Sequence, residues 1–225
     1  MWLVLHSGSR GVGNQLANFH IDNAKRLMKE WFVHLEDPDL AYLVQGTTEF
    51  DEYISDMLWA QDYALENRNM MLHAAMAAAT KTLGRPLRGV EVINCHHNFT
   101  QMEHHHGKNV WLTRKGAIKA AEGDRGVIPG SMGTRSYIVS GLGNAASFCS
   151  CSHGAGRRMS RSKAKKELSI ESLHKAMEGI TWNGADGLLD EHPSAYKDID
   201  VVMENQRDLV SIDHTLHQIL NYKGQ

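Results

Sequence analysis

Histidine is the residue type whose number and clustering in this sequence point to chemistry. The chain has 14 histidines beside 24 lysines and arginines. His6 follows an apolar run and precedes a glycine-rich turn at residues 7–13. An imidazole at the edge of a core can bind a metal ion, or it can simply hydrogen-bond the backbone. The clustering predicts metal or phosphate chemistry.

Two adjacent histidines, His96 and His97, follow a predicted strand at residues 90–94. Successive side chains of an extended segment point in opposite directions, so only one of these rings can face a given site. That ring can bind a divalent ion, and Asn98 can orient a phosphate or a nucleobase. The longer histidine run at residues 104–106 lies among charged residues, and we predict a solvated loop there.

His153 ends a predicted strand and opens the segment His-Gly-Ala-Gly at residues 153–156. The backbone of Gly154, Ala155 and Gly156 carries almost no side chain, so a ligand can approach it closely. A helix is predicted shortly after, and its N-terminus favours a phosphate. A neutral imidazole beside a bound nucleotide can attack phosphorus, which predicts nucleophilic catalysis by His153.

The segment at residues 128–136 combines two glycines, three hydroxyl side chains and an arginine. Its backbone N–H groups and its arginine could bind an anion, or it could be a plain turn. Six of the ten residues from 157 to 166 are basic. That stretch predicts either a binding surface for RNA or nucleotide phosphates or a solvated helix face.

The hydrophobic pattern predicts an α+β fold with mixed short-strand sheets and flanking helices, in one domain over residues 1–225. The apolar run at residues 1–6 is predicted to be a strand. Helices are predicted at residues 14–35, 48–82, 162–177 and 199–220, and a capping box is predicted to begin the second at Thr48. Strands are predicted at residues 90–94, 110–114, 137–140 and 147–151. Cys149 and Cys151 are predicted to pack on one face of the last strand.

Composition excludes several classes of protein. The charge is 24 − 26 = −2, which is incompatible with a globally basic nucleic-acid coat. No run of 18 apolar residues is present, so we expect no transmembrane helix, and the N-terminus lacks the pattern of a secretory signal. Three cysteines are too few for a disulfide scaffold and suit a reducing compartment. We therefore expect a cytoplasmic protein.

Six segments together resemble the RtcB family of RNA ligases. They occur in the family's order and extend across nearly the whole chain: HSGSRGVGN at 6–14, NCHHNF at 94–99, WLTRKGAI at 111–118, IPGSMGTRSY at 128–137, HGAGRRMSRSKA at 153–164 and AYKDID at 195–200. The resemblance implies an RtcB-like fold. It also implies a ligase dependent on GTP and Mn²⁺ that joins RNA 3′-phosphate or 2′,3′-cyclic phosphate ends to 5′-hydroxyl ends, in tRNA splicing or RNA repair.

The resemblance also assigns roles to residues. It implies that His153 becomes guanylylated and that His6 and His97 bind one manganese ion. The positions that match the family's guanylate contacts are His97, Asn98, Pro129, Gly130, Ser131, Met132, Ser136, Gly154, Ala155, Gly156, Tyr196 and Lys223.

Family members are longer, and this sequence resembles their C-terminal portion. The resemblance implies that the family's other metal ligands lie in a preceding segment. We therefore expect a truncated gene, a mis-assigned start or one half of a split protein, for which the N-terminal portion could act as a partner in trans.

Three functions remain open from the sequence. The first is the RNA ligase. The second is an inactive C-terminal fragment that only binds guanine nucleotide or RNA. The third is a metal-dependent phosphohydrolase, which the scarcity of carboxylates near the histidines disfavours.

Overall fold

A computed structural model describes residues 1–184 and 186–224. The chain divides into two compact units, Met1–Val92 and Ile93–Gln225, and each is described by itself. Helices and small sheets together confirm the predicted α+β class. The prediction of one domain over residues 1–225 stays a prediction.

The first unit consists mainly of two long helices, α1 (Arg10–Glu30) and α2 (Thr48–Leu83). They pack through buried apolar side chains of both helices: Ala24, Leu27, Met28, Ile54 and Ala64. The Thr47 side chain accepts a hydrogen bond from the Phe50 backbone N–H and caps α2, whose far end stops at left-handed Gly84. The predicted cap at Thr48 was therefore one residue late.

Two other predictions for this unit were wrong. Helix α1 begins four residues before the predicted start and ends five residues before the predicted end. Residues 1–8 form no strand. An apolar run becomes a strand only when a neighbouring strand pairs with its backbone, and no described strand pairs with this one.

The second unit contains nine short strands and three short helices in the part of it that the structure describes. The strands are β1 (Asn98–His105), β2 (Lys108–Lys115), β3 (Ala117–Lys119), β4 (Arg125–Pro129), β5 (Ser136–Gly141), β6 (Ser150–Ser152), β7 (Thr181–Trp182), β8 (Val210–Leu216) and β9 (Leu220–Asn221). The helices are α3 (Arg161–Glu167), α4 (Ile170–Ala176) and α5 (Ile199–Glu204).

The strands form four small sheets. β1 pairs with β2 and β3 pairs with β6, both antiparallel, while β7 and β9 are parallel. The antiparallel sheet β4-β5-β8 is the largest. Its inner face joins β3, β6 and α5 in the main core, which includes Ile118, Ile128, Tyr137, Val139, Cys151, Ile199 and Met203. This core supports the strand ends where the predicted site residues lie.

The predicted helix at residues 199–220 was wrong beyond Glu204. Residues 210–216 pair with β5 as strand β8, because Val210 and Ile212 suit a strand and the sheet offers a free edge for them. The predicted helix at residues 162–177 is two helices. The Ser169 side chain accepts from the Ser172 N–H in a capping box, which begins α4 and separates it from α3.

Three strand and loop predictions also need correction. Residues 90–94 are not a strand, and Val90 and Val92 are exposed there. The predicted strand at 147–151 is strand only at β6, with Cys149 outside it in a left-handed conformation. Within the histidine run, His104 and His105 belong to β1 and not to a loop, because the hairpin turn is confined to His106 and Gly107.

Candidate active site

The predicted nucleophile His153 lies at the end of β6, directly after a buried pairing with β3. Ile118 of β3 stands opposite Cys151 of β6, and both side chains are in the core. Burial raises the pKa of the Cys151 thiol to about 12, so Cys151 stays protonated and serves as a packing residue, as predicted. The strand pair therefore presents His153 from a rigid base.

Gly116 connects this strand end to the histidine pair. Its N–H donates to the His97 carbonyl at 2.8 Å and to Asn98 Oδ1 at 3.0 Å. Its carbonyl accepts from the His153 N–H at 3.3 Å. The φ angle of Gly116 is 69°, a conformation that favours glycine. One backbone unit thus fixes both histidine-bearing segments.

The imidazoles of His97 and His153 lie parallel, with ring centroids 5.1 Å apart and an interplanar angle of 4°. The neighbouring His96 ring instead lies beside Phe99, at a centroid distance of 5.6 Å. The two adjacent histidines therefore have different surroundings, which confirms the prediction that they do not share one site. A residue fifty-six positions away in the chain, His153, is the one that meets His97.

The loop between β4 and β5 is held by its own side chains and by one glutamine. The Ser131 N–H donates to Thr134 Oγ1 at 2.7 Å. Gln218 donates through Nε2 to the carbonyls of Ser131 and Thr134, each at 2.7 Å. Gly130 is confined as well, since a Cβ there would lie 2.2 Å from the Arg135 carbonyl oxygen. These contacts fix the backbone of this loop.

The His-Gly-Ala-Gly segment runs beside that loop. A Cβ at Gly154 would stand 3.0 Å from the Pro129 carbonyl oxygen, so glycine permits the close approach. Ala155 is buried in the main core and Met132 in a second core with α4. The side chains of those two residues therefore contribute to packing. Ser136 is also buried, opposite Pro129 in the sheet.

Tyr196 and Lys223 meet at the carboxylate of Glu191. The Tyr196 hydroxyl donates to Glu191 Oε2 at 2.6 Å, and Lys223 Nζ lies 3.0 Å from the same oxygen. Arg157 donates to the Tyr196 hydroxyl at 3.0 Å and stacks over its ring at 4.9 Å. Arg157 directly follows Gly156, so this cluster continues the His-Gly-Ala-Gly segment.

Charge and burial shift two pKa values in this cluster. Burial, reinforced by the bond to Glu191, raises the pKa of Tyr196 to about 12, so the hydroxyl remains a donor. Burial opposes ionisation of Glu191, but the Tyr196 and Lys223 hydrogen bonds and nearby cations outweigh it and lower the pKa of that carboxyl. Glu191 is therefore a carboxylate at neutral pH.

Comparison with known proteins shows which family the chain belongs to. The sequence model of the family described as tRNA-splicing ligase RtcB matches residues 1–224. This chain belongs to the RtcB family.

Curated relatives with RtcB names occur in bacteria and archaea. The RNA-splicing ligase RtcB of Escherichia coli K12 is 48% identical over 100% of this chain and 56% of its own length. The relative of the same name in Mycobacterium bovis is 30% identical over 90% of this chain and 51% of its own. The tRNA-splicing ligase RtcB of Pyrobaculum aerophilum is 32% identical over 90% of this chain and 47% of its own length. The chain thus spans about half the length of these RtcB proteins.

The remaining predicted metal ligand, His6, belongs to the first unit. The turn that follows it is held by α2: Asn67 Nδ2 donates to Ser7 Oγ at 3.1 Å and to the Gly8 carbonyl at 3.0 Å. Arg68 donates to the Ser7 carbonyl at 3.4 Å. Since His97 belongs to the second unit, their shared manganese site stays a prediction.

The described residues give no complete metal centre. Within residues 1–184 and 186–224, no group of three histidine, cysteine, aspartate or glutamate side chains could hold an ion. Two imidazoles are an incomplete ligand set for Mn²⁺, which prefers several oxygen or nitrogen donors.

Within residues 1–184 and 186–224, no helix is long and apolar enough to cross a membrane.

Three residues of this candidate site were not identified from the sequence. Gly116 lies inside the WLTRKGAI segment, where the glycine after two basic residues was the available signal. Glu191 and Gln218 have no local signal, because each contacts residues more than four positions away along the chain.

The basic stretch at residues 157–166 is partly paired with acidic side chains. Arg161 lies 3.0 Å from Asp190 and 3.4 Å from Glu191.

Proposed function

We propose that this chain forms the nucleotidyl-transfer part of an RNA ligase that uses GTP and Mn²⁺ and joins RNA 3′-phosphate to 5′-hydroxyl ends. The observation that carries the proposal is the pair of parallel imidazoles, His97 and His153, fixed by Gly116. Membership of the RtcB family and the names of the relatives, RNA-splicing and tRNA-splicing ligase, support RNA as the substrate.

The environment of His153 fits a bound nucleotide. In the part of the chain that the structure describes, its Nδ1 is buried without a hydrogen-bond partner. Nε2 is thus the ring nitrogen that can reach a ligand. Gly154, the residue after His153, approaches the Pro129 carbonyl closely, so the fixed loop around Gly130 runs beside this segment. A phosphate placed there would lie against glycine-rich backbone and the His153 imidazole, the proposed nucleophile.

In the proposed reaction, Nε2 of His153 attacks the α-phosphorus of GTP. A phosphorus–nitrogen bond forms, the bond to the bridging oxygen breaks, and pyrophosphate leaves. An oxygen of the RNA 3′-phosphate then attacks the guanylate phosphorus and releases His153. The RNA 5′-hydroxyl, losing its proton, attacks the activated 3′-phosphate, and GMP leaves. A 2′,3′-cyclic end must first be opened by water to give the 3′-phosphate.

The chain's own residues would bind and orient the nucleotide. The contacts we propose for the guanylate are Asn98, the backbone of residues 129–132, Ser136, the backbone of residues 154–156, Tyr196 and Lys223. His6 and His97 are proposed as two ligands of a larger manganese set. A manganese ion, when bound, would neutralise charge on the phosphates.

The proposal is tested by incubating the purified chain with α-³²P-labelled GTP and Mn²⁺, followed by denaturing electrophoresis. We expect a protein-bound label that is sensitive to acid, as a phosphoramidate is, and that is lost in His153→Ala. The matched control is His96→Ala, which removes a neighbouring imidazole that faces Phe99 and should retain the label. A label that persists in His153→Ala would refute the nucleophile.

Ligation is tested separately with two RNA strands, one ending in a 3′-phosphate and the other beginning with a 5′-hydroxyl. We expect a joined product that depends on GTP and disappears in His153→Ala. Binding of GTP without label or product would instead select the alternative function, a module that only binds guanine nucleotide.

A further inference from the structure

Glu191 receives contacts from residues far apart in the chain. Its Oε2 accepts from the Tyr196 hydroxyl and lies 3.0 Å from Lys223 Nζ, while Oε1 lies 3.4 Å from the Arg161 guanidinium. The Glu191 side chain is 13% exposed, whereas that of Lys223 is 39% exposed. The carboxylate is thus the buried partner, and the ammonium group lies at the accessible side of the pair.

Lys223 is fixed at two points. Its backbone carbonyl accepts from Asn183 Nδ2 at 2.9 Å, and its side chain ends at Glu191. A lysine side chain has four rotatable bonds and gains little order from its backbone alone. Without the carboxylate, the ammonium group would be free to sample many positions. With the Glu191 carboxylate in place, Lys223 Nζ and the Tyr196 hydroxyl are both held at its Oε2 atom.

Positive charges outnumber negative charges around Glu191. Besides Lys223 and Arg161, the Arg157 guanidinium lies 4.0 Å from Oε1, so three cations surround one carboxylate. Asp190 offsets part of this charge through its contacts with Arg161 and Lys165. Removal of the negative charge of Glu191 would therefore make this region more attractive to any polyphosphate. The same change would release Lys223 and Tyr196.

We propose that Glu191 is a positioning residue that sets base selectivity by holding Lys223 and Tyr196 against the guanine ring. The inference rests on the proposed guanylate site. Guanine presents acceptors at O6 and N7, whereas adenine carries a donor amino group at position 6. An ammonium group held in one place discriminates between these bases, and a mobile one turns away or contacts the phosphates.

The test is Glu191→Gln in the full chain, with equilibrium binding of GTP, ATP and inorganic tripolyphosphate. Glutamine keeps the shape and one acceptor but removes the charge. We expect the ratio of GTP to ATP affinity to fall about tenfold, a size typical of one lost specific contact. Tripolyphosphate should bind with unchanged or higher affinity, which a general structural defect would not produce.

A double-mutant cycle tests whether Glu191 acts through Lys223. Lys223→Met should lower the GTP to ATP ratio by itself, and adding Glu191→Gln should lower it no further. The matched control is Glu204→Gln, which removes an exposed carboxylate 2.7 Å from Arg207 in the same unit. It should leave the ratio unchanged.

The outcomes separate the two proposals. If the unmodified chain prefers GTP and Glu191→Gln keeps the same preference, the positioning role is wrong and the proposed function stands. Equal loss of affinity for GTP, ATP and tripolyphosphate would also overturn it, since that result reflects structural damage. If the unmodified chain is labelled equally from GTP and ATP, no selectivity exists for Glu191 to set. If it binds neither nucleotide, both proposals fail together.

Discussion

A single glycine is hydrogen-bonded to both histidine-bearing segments of the candidate site. Gly116 bonds to the backbone of His97 and His153, and its α-carbon faces the His153 ring. A Cβ at this position would lie 3.4 Å from Cε1 and 3.5 Å from Nδ1 of that ring. A side chain would therefore contact the ring of His153, the proposed nucleophile, at ordinary van der Waals distance, and the positive φ would strain the backbone.

We expect Gly116→Ala to lower the rate of His153 guanylylation by at least about tenfold, because strain in this backbone unit would displace the His97 and His153 segments that are bonded to it. The matched control is Gly123→Ala. Gly123 has a φ angle of 78° but open space where its Cβ would stand, so it carries the same backbone strain without the contact. Both variants should lose about 1–2 kcal/mol of stability. Equal labelling rates in the two variants would contradict the role of Gly116.

The residues that sequence could identify are those that lie within a continuous motif. His153 and the glycines after it form one segment, and the alternation rule separated His96 from His97 correctly. The stacking partner of His97 could not be predicted from the residues alone. It depends on the pairing of β3 with β6, whose partner residues are 31 to 35 positions apart in the chain.

At the scale of elements, the β1–β2 hairpin is stabilised by an ion pair that the sequence did not reveal. Glu103 accepts two hydrogen bonds from Arg114, at 2.5 and 3.0 Å, and a third from His105 at 2.7 Å. Arg114 also donates to the Phe148 carbonyl and to Ser150 Oγ. The hairpin is thereby bonded to the turn that precedes the strand of His153.

We predict a pH-dependent contribution of Glu103 to stability. Burial alone would raise its pKa, but the bonds from Arg114, His105 and Gln101 lower it to about 2. Because the folded pKa lies below the ordinary value of 4.5, the contribution is complete above pH 4.5 and is lost as the pH falls towards 2. The difference corresponds to about 3 kcal/mol at roughly 1.36 kcal/mol per pH unit.

The measurement is the free energy of unfolding in urea for the unmodified chain and for Glu103→Gln. At pH 6 the variant should be less stable by about 3 kcal/mol, since Arg114 is left buried without its charged partner. At pH 3.5 that difference should shrink by about 1 kcal/mol. A difference that stays constant between the two pH values would show that Glu103 titrates normally in the folded chain.

Helix predictions succeeded where local signals agree and failed where distant strands decide the outcome. Helix α2 was predicted nearly to its ends because its capping threonine and the glycine beyond it are local. Residues 210–216 were predicted as helix but pair with β5, with Ser140 opposite Ser211. The helical spacing of apolar residues in that segment is real, yet the free edge of β5 outweighs it.

The charge distribution of the whole molecule would limit RNA binding to one region. The net charge is −2, so the chain as a whole does not attract a polyanion. Much of the basic stretch is compensated, since Arg161 and Lys165 contact Asp190. Lys163 and Lys166 are exposed on α3, and Lys163 is only 3.8 Å from one exposed glutamate, Glu167.

We predict that the double substitution Lys163→Gln with Lys166→Gln weakens binding of single-stranded RNA and flattens its salt dependence. Each contact to a phosphate contributes about 0.7 to the slope of log affinity against log salt, so the slope should fall by about 1.4. Lys29→Gln with Lys81→Gln removes the same charge from exposed positions of the first unit and should leave the slope unchanged. Identical slopes for the two double variants would refute a local RNA surface on α3.

The bonds from Gln218 to the loop between β4 and β5 have a consequence for the order of folding. They span 87 and 84 positions of the chain, and the β5–β8 pairing beside them spans about as many. Contacts between residues so far apart form late, because closing a long loop costs chain entropy before the contacts contribute stability. The hairpin β1–β2, whose partners are at most seventeen residues apart, has no such delay. During refolding, secondary structure should therefore return before the loop between β4 and β5, and with it the proposed nucleotide binding. The lag between those two events should lengthen when β8 is weakened.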